Sequence, residues 1–385
     1  MKIPELLSPA GDLEKLKVAV LYGAGAVYFG GFDHGLRQGA GMNRADILEG
    51  VQFAHANGVK AYFTLNGLIH ECDWAAISDL VTFLERIKID AVIVSDLGIL
   101  NLVRENSSRP IHLSTQASCL NSRAAGFYKK LGVSRIILGR EVPLIEAARI
   151  KKEADIEVEA FIHGAMCVNV SGRCRLSTFL HGRDANRGGC VNPCRFSYKV
   201  ADQENFPLNA KDLCGLMKVP QAVSLGIDAI KIEGRPRSHH YVAVTTKIYA
   251  EVLAQKNTSE DQWKNWQKEL ERVTHRGYSQ GFLDTFRPDD AIERVRPYSA
   301  KKEFPSVGVV VEIVPGDFFI VHTKAAFSSG EKLEVLPFIG RPIQIDSSQL
   351  CNSLGEKMIE ARPNQLVKLP WISGIAAWQI LRRPV

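Results

Sequence analysis

The chain has 385 residues, 45% of them hydrophobic and 23% charged, a composition that excludes a disordered chain and suits one large α/β domain with a small appendage. Its formal net charge of +6 permits an anionic partner such as nucleic acid without requiring one. The first residues lack the basic start and apolar core of a secretory signal, and no run approaches the roughly 20 apolar residues that span a bilayer. We therefore expect a cytoplasmic protein without membrane contact.

Eight short segments rich in branched or aromatic residues recur along the first two thirds of the chain, and amphipathic stretches separate them. This alternation is typical of successive βα units. Eight units favour a closed (β/α)8 barrel of the TIM type over an open sheet, and no strand is followed by the GxGxxG fingerprint of a dinucleotide site. The predicted strands are residues 4–8, 26–30, 60–66, 91–96, 111–116, 135–140, 157–164 and 229–235.

Capping residues predict where helices begin, and a change in composition near residue 305 predicts a second domain. Asp12, Asn43 and Asp73 are predicted to begin helices, and further helices are expected over 211–225, 238–255 and 259–274. From residue 305 onward, short apolar runs between Pro, Gly and Ser turns predict a small all-β domain, a barrel or a sandwich. We expect a barrel domain over 1–290, a linker over 291–304 and a small β-barrel domain over 305–385.

The predicted strands end in polar residues, and the active sites of such barrels lie at the carboxyl ends of the strands. Each of these residues has a simpler alternative role, because a strand-end polar side chain also caps the helix that follows. For His163 the choice is between a catalytic acid or base and a hydrogen-bonded support behind the site. The predicted rim consists of Ser8, Asn66, Asp96, Gln116, Arg140, His163, Glu233 and Arg235.

Four of the eight cysteines lie in the long glycine-rich and arginine-rich loop after the seventh strand, at Cys167, Cys174, Cys190 and Cys194. Four thiols can close a tetrahedral zinc site or a cubane iron-sulfur cluster. The wide, uneven spacing without a CxxC pair favours the iron-sulfur cluster, with zinc as the alternative. The other cysteines are interpreted as structural, although one in the sequence KDLCGL could lie near the rim; they are Cys72, Cys119, Cys214 and Cys351.

The same loop is strongly basic, with a single acid, Asp184, among six cationic residues. Arginines there could offset the negative charge of a thiolate-bound cluster or bind an anionic substrate. Three aromatic residues alternate with them, Phe179, Phe196 and Tyr198, and these either stack nucleic-acid bases or shield a cluster from solvent. The cationic residues are Arg173, Arg175, Arg183, Arg187, Arg195 and Lys199.

The run from Glu159 to Ser177 resembles the signature of the collagenase-like unclassified peptidase family. Further matches are ELLSPAG, HLSTQAS, GGCVNPCR, KIEGRPRS and HRGYSQGFL, so the resemblance reaches to about Phe286 and covers roughly three quarters of the chain. The matching signature residues are Glu159, Phe161, Gly164, Ala165, Cys167, Gly172, Cys174 and Ser177.

The resemblance implies a (β/α) barrel with a C-terminal β domain, and it is closest to the branch that hydroxylates tRNA wobble uridine to 5-hydroxyuridine. That branch carries a four-iron four-sulfur cluster and takes oxygen from prephenate, and its cluster ligands match the four loop cysteines. We therefore expect tRNA as the partner. Arg140, His163, Glu233 and Arg235 are the predicted catalytic residues, and the predicted substrate-binding residues are Asn66, Gln116, Arg173 and Arg195.

Two alternative functions stay open at this point. The family is named for peptidase activity, although the chain has neither HExxH nor GxSxG, the motifs of common metal and serine hydrolases. The chain could also be a cluster-bearing subunit of a two-chain hydroxylase, paired with a paralogous barrel protein, as relatives in oxygen-independent ubiquinone synthesis suggest.

Overall fold

A computed structural model describes residues 2–32, 41–200, 203–208, 210–255, 258–291 and 306–384. The predicted linker over 291–304 lies outside these residues, apart from Ala291. The first sheet contains β1 (Glu5–Pro9), β2 (Ala26–Phe29), β3 (Lys60–Leu65), β4 (Ala91–Val94), β5 (Ile111–Leu113), β6 (Val133–Ile137) and β7 (Glu157–Gly164). Next along the chain come β8 (Ser197–Val200), β9 (Gln203–Pro207), β10 (Asp212–Cys214), β11 (Ala229–Ile232) and β12 (Tyr278–Ser279).

Strands β1 to β7 and β11 form a closed parallel barrel. Each strand pairs with the next, and β11 closes the ring by pairing with both β1 and β7. Every barrel strand overlaps a segment predicted from the sequence, so the expected (β/α)8 barrel is confirmed. Strands β2, β4 and β11 are buried along their whole length, as expected for parallel strands that are covered on both faces.

Helices surround the barrel, and their caps explain several of their boundaries. Asp12 accepts a hydrogen bond from the Lys15 amide and Asn43 accepts one from the Asp46 amide, as predicted. No helix within the described ranges is long and apolar enough to cross a bilayer. The helices are α1 (Leu13–Leu21), α2 (Arg44–Ala56), α3 (Trp74–Arg86), α4 (Leu97–Asn106), α5 (Ser122–Lys130), α6 (Leu144–Ala154), α7 (Leu176–His181), α8 (Val219–Ser224), α9 (His239–Ala254) and α10 (Glu260–Leu270).

The predicted helix over 211–225 is wrong in its first half. Residues Asp212–Cys214 form β10, which runs antiparallel to the end of β7, and only Val219–Ser224 are α-helical. Strand β7 has eight residues and extends beyond its barrel neighbours, so its free edge offers pairing that local helical propensity cannot outweigh. Pro220 lies at the start of α8, where its missing N–H costs nothing.

The C-terminal region is antiparallel and all-β, as predicted. Its strands are β13 (Ser306–Val314), β14 (Phe318–Thr323), β15 (Phe327–Ser328), β16 (Lys332–Leu336), β17 (Ile343–Asp346), β18 (Cys351–Asn352), β19 (Glu360–Ala361), β20 (Leu366–Pro370) and β21 (Ile380–Arg382). A seven-stranded sheet has the order β17-β16-β21-β13-β14-β20-β18, and β15 pairs with β19. The Tyr22 hydroxyl donates to the Leu336 carbonyl at 2.6 Å and accepts from the Ile380 amide at 3.1 Å, so this region lies directly against the barrel.

Candidate active site

A cavity of about 140 Å³ opens at the carboxyl ends of the barrel strands. The strand ends form one side of its wall, and the loop that follows β7 forms the other. The predicted site residues that line it are Asn66, Gln116, Arg140, Cys167, Cys174, Cys190, Cys194, Arg195, Glu233 and Arg235. Of the twelve predicted site residues, His163 and Arg173 are the two absent from this lining.

The four loop cysteines all face this cavity, although they are up to 27 positions apart in the sequence. The sulfur atoms of Cys174 and Cys190 accept hydrogen bonds from the backbone amides of Leu176 and Asn192, each at 3.4 Å. Burial raises the pKa of the Cys174 and Cys194 thiols, and Arg195 opposes this effect at Cys194. Within the described ranges, no three His, Cys, Asp or Glu side chains converge on a position for a single metal ion.

Hydrogen bonds within the cysteine loop and from neighbouring loops hold this loop in place. The Asn186 side chain accepts a hydrogen bond from the Cys174 amide at 3.2 Å and donates one to the Cys174 carbonyl at 2.9 Å. Arg187 binds Asp73 with two hydrogen bonds of 2.6 and 3.1 Å. Asp73 stands at the N-cap position of α3, as predicted, but its carboxylate makes no cap bond to that helix and anchors the loop instead. Glu141 accepts from both the amide and the hydroxyl of Ser171 at 2.8 Å.

A buried ion cluster supports the start of the loop. Asp212, at the beginning of β10, accepts from Arg276 at 2.7 Å and from Arg237 at 2.7 Å. Arg276 also donates to the Met166 carbonyl at 3.3 Å, directly before Cys167. Neither arginine was predicted from the sequence to have a role. Both lie in segments that carry the family resemblance, KIEGRPRS and HRGYSQGFL. Membership of these segments was the one feature of the sequence that pointed to them.

Three cations line the barrel side of the cavity. The Arg140 guanidinium lies 3.9 Å from the centroid of the Phe161 ring, and Arg235 donates to the Thr64 hydroxyl at 2.6 Å. Lys231 was missed by the sequence analysis. Its ammonium is buried, lies 4.1 Å from the Tyr28 ring centroid and pairs with the buried Glu159 carboxylate at 2.9 Å. This wall is therefore suited to bind an acidic small molecule.

Another part of the wall is polar and neutral. The Asn66 amide nitrogen donates to the Ser114 hydroxyl at 2.9 Å and to the Gln116 side-chain oxygen at 3.3 Å. The Asn66 side-chain oxygen is buried and accepts no hydrogen bond from the described part of the chain. Asn66 and Gln116 both line the cavity, so their amide groups give this part of the wall neutral hydrogen-bonding character.

The other rim residues have structural roles. Asp96 caps α4 by accepting from the Gly98 and Ile99 amides, which is the alternative role that its position allowed. The Ser8 hydroxyl is buried and accepts from Thr246 at 3.0 Å. Arg173 is exposed and donates to the Gln116 carbonyl at 2.6 Å, so it fastens the loop to the rim from outside the cavity.

His163 lies behind the cavity. Its ring is buried among Tyr241, Tyr249 and Tyr278, with Nδ1 3.2 Å from the Tyr249 hydroxyl. The sequence left open whether this residue is an acid or base or a support, and this position favours support. Cys214 pairs with His163 in the β-ladder, so it too lies behind the site. Burial lowers the pKa of His163 from 6.5 to about 3.

The lowered pKa of His163 predicts a loss of stability in acid. Below pH 6.5 the unfolded chain takes up a proton at this imidazole, but the folded chain does not until about pH 3. Stability therefore falls between these values, by about 2 kcal/mol from this group at pH 5. We expect the drop in urea midpoint from pH 7 to pH 5 to be smaller in His163→Gln than in wild type. The matched control, exposed His181→Gln, should keep the wild-type drop, and an equal drop in all three proteins would contradict the prediction.

Gly164 ends β7 in a conformation that favours glycine, with φ +111°. A β-carbon there would lie 2.3 Å from the Glu233 carbonyl oxygen. We expect Gly164→Ala to cost about 1–3 kcal/mol in backbone strain alone, with a further loss from the displaced Glu233 backbone. Gly58→Ala is the matched control, since Gly58 also has a positive φ, +70°, but has nothing within 4 Å of the added carbon. Equal losses of unfolding free energy in the two variants, measured with urea, would show that the close approach to the Glu233 carbonyl oxygen has no effect.

Several known proteins are similar to this chain over most of its length. A profile described as Peptidase family U32 matches residues 11–293. The tRNA hydroxylation protein P1 of Bacillus subtilis is 35% identical over 362 residues, covering 89% of this chain and 85% of that protein. The 23S rRNA 5-hydroxycytidine C2501 synthase of Escherichia coli is 32% identical, and the alignment covers 94% of this chain and 56% of that synthase. An uncharacterized protease of Methanocaldococcus jannaschii is 39% identical and covers 73% of each chain.

Proposed function

The chain belongs to Peptidase family U32, and from that premise we propose that it is an oxygen-independent RNA hydroxylase with an iron-sulfur cluster at the barrel mouth. Two relatives that align with most of this chain are named for RNA hydroxylation, one on tRNA and one on rRNA. The observation that carries the proposal is that four cysteines and a cationic wall share one cavity. We propose tRNA as the substrate and 5-hydroxyuridine at the wobble position as the product.

The residues present fit a four-iron four-sulfur cluster better than a single zinc ion. Zinc needs its sulfur ligands about 2.3 Å from one point, and among the described side chains no three donors converge in this way. A cubane cluster takes one thiolate at each of its four irons, so its ligands stand around a cavity, as these cysteines do. The amides of Leu176 and Asn192 and the guanidinium of Arg195 would stabilise the negative charge of the ligated sulfurs. When bound, the cluster would supply one-electron redox chemistry.

The cationic wall suits prephenate as the oxygen donor. Prephenate is a dicarboxylate, and Arg140, Lys231 and Arg235 present positive charge to the same cavity. Arginine binds carboxylates with two parallel hydrogen bonds, so Arg140 and Arg235 would orient the donor, and Lys231 would contribute a point charge. Glu233 lies in the same wall and would restrict which groups of the donor approach it.

The amide side of the cavity suits the pyrimidine. A base can reach a cavity inside a barrel mouth only after it leaves its stack, as base-modifying enzymes require. The Asn66 and Gln116 side chains both line the cavity and would bind the polar edge of a uracil ring. Arg195, on the loop side, would contact the phosphate of that nucleotide.

The geometry gives less support to a peptidase. A cysteine nucleophile needs a base within hydrogen-bond reach. The cavity lining, as far as the structure describes it, contains no histidine. All four of its thiols are assigned to the cluster.

The experiment that tests the proposal is nucleoside analysis of RNA from a strain that lacks the gene. We expect one hydroxylated pyrimidine to disappear from the tRNA fraction and to return when wild-type protein is supplied, in cells grown with or without oxygen. Blocking prephenate synthesis should produce the same loss. Unchanged nucleosides would overturn the proposal. Activity that appears only with a second co-purifying barrel chain would identify this protein as a subunit.

A further inference from the structure

The cysteine loop turns aromatic rings outward beside the cavity. Phe179 on α7 is 85% exposed and Phe196 is 44% exposed. The ring of His181 lies 5.5 Å from that of Phe196, at an interplanar angle of 88°. These three residues, Phe179, His181 and Phe196, form what we call the aromatic platform. Phe179 and His181 share α7, and His181 contacts Phe196, so this short helix and the turn beside it carry all three rings. Exposed apolar side chains grouped in one short segment of surface usually mark a binding surface.

The platform adjoins the cavity mouth. Leu176 lines the cavity, and Phe179 follows it by one turn of α7. Arg195 also lines the cavity, and Phe196 is the next residue. Helix α7 lies against the short turn Pro193–Arg195, so the two parts of the platform are held together. A ligand that enters the cavity from this side therefore passes over the platform.

The exposure of these rings decides between the two roles that the sequence left open for its aromatic residues. A ring that shields a cluster from solvent has to be buried over it. Tyr198 is partly buried, and its hydroxyl donates to the Pro193 carbonyl at 2.7 Å, so it supports the loop. Phe179, in contrast, points into solvent. It therefore contributes little to the protein's own packing.

The charge around the platform matches RNA. Arg173, Arg175 and Arg183 are exposed on the same loop, and Asp184 is the single acidic residue between 172 and 199. Flat rings interleaved with exposed arginines are typical of surfaces that bind single-stranded nucleic acid, where the rings stack on bases and the cations contact phosphates.

We propose that the aromatic platform stacks the unpaired bases next to the target nucleotide and so selects a single-stranded loop of RNA over a duplex. This inference rests on the proposed function, because it takes RNA as the substrate. It adds a location and a structural requirement, since the nucleotides that flank the target must be free to stack on Phe179 and Phe196. An apolar patch of this size could alternatively hold a second protein chain, and that outcome is part of the test.

The test is a binding titration with the full chain, using a labelled RNA stem-loop with an unpaired pyrimidine-rich loop and a fully paired duplex of equal length. We expect Phe179→Ala and Phe196→Ala each to weaken stem-loop binding by about 5- to 150-fold, the range for losing one stacked base. Phe179→Trp should retain binding because it keeps a flat ring, whereas Phe179→Leu, which keeps only apolar area, should not. Duplex binding should be weak and unaffected by any of these changes.

The matched control is Phe127→Ala, since Phe127 is 56% exposed on the outer helix α5 and lies outside the cysteine loop. It should bind the stem-loop as wild type does. Unchanged affinity in both platform variants would overturn the inference, as would equal binding of stem-loop and duplex or no RNA binding by wild type. Loss of a co-purifying protein chain in Phe179→Ala, with RNA affinity intact, would assign the platform to a protein partner. Because affinity is measured separately from nucleoside modification, failure of the two platform variants to weaken binding leaves the hydroxylase proposal standing.

Discussion

Replacing Cys174 with alanine is expected to abolish both cluster binding and RNA hydroxylation. Cys174 faces the cavity and is held by backbone hydrogen bonds to Asn186 and by an amide donor to its sulfur. In the proposed cluster each iron takes one cysteine thiolate, so removing one of the four would leave one iron without its protein ligand. We expect the anaerobically purified variant to lose the broad absorbance near about 400 nm that thiolate-ligated clusters give. The hydroxylated nucleoside should then be absent from RNA of cells that carry only this variant.

Cys351→Ala provides the matched control for this variant. Cys351 also has a partly exposed thiol, but it lies in the C-terminal sheet and its sulfur contacts the Gln349 carbonyl. This variant should keep the wild-type spectrum and the modification. A Cys174→Ala protein that retained full iron content would show that this residue is not a ligand. One that kept its iron but lost modification would place Cys174 in substrate handling.

Asp212→Ala is expected to cost about 3–5 kcal/mol of folding free energy, the range for removing one partner from a buried ion pair. The Asp212 side chain is 1% exposed and that of Arg276 is 2% exposed, so the variant leaves a guanidinium buried without its carboxylate. Arg237 loses the same partner. The loss should appear as a lower urea midpoint of the purified chain.

The effect of Asp212→Ala should also reach the cysteine loop. Arg276 donates to the Met166 carbonyl, so its displacement would move the backbone directly before Cys167. We expect the variant to hold less iron per chain, and Asp212→Asn, which keeps an acceptor, to lose less. Asp284→Ala is the control, because Asp284 also pairs with a lysine, Lys218, at 2.6 Å but is 44% exposed. Similar losses in the two alanine variants would contradict the role given to burial.

The barrel could be predicted from the sequence because its signal is repetitive. Each strand is a short branched run between amphipathic stretches, and eight of them leave few alternatives to closure. The cysteine site could also be predicted from the sequence, because the number and spacing of the thiols limit the kinds of metal site that they can form. The strand-end rule then found Asn66, Gln116, Arg140, Glu233 and Arg235, because parallel strands bring their carboxyl ends to one edge.

The parts that sequence reasoning missed depend on contacts between distant segments. Lys231 lies within an apolar strand, and only the closed barrel shows that its ammonium meets Glu159 beneath the cavity. Asp212 and Arg276 are 64 positions apart, and β10 looked helical until the free edge of β7 was known. His163 met the strand-end rule but faces three tyrosines, because the register between β7 and β11 shifts just before it, between Phe161 and His163. The local sequence pattern identifies a helix or strand, and contacts with other segments determine which way its side chains point.

If four cysteines hold an iron-sulfur cluster at the barrel mouth, as we propose, metal analysis of the wild-type chain should detect it. The protein would be purified without oxygen and assayed for iron, acid-labile sulfide and zinc. We predict about four irons and about four sulfides per chain, the content of one cubane cluster. Zinc alone, or a chain that folds and modifies RNA with no bound metal, would contradict the claim and leave the cysteine loop as a structural element.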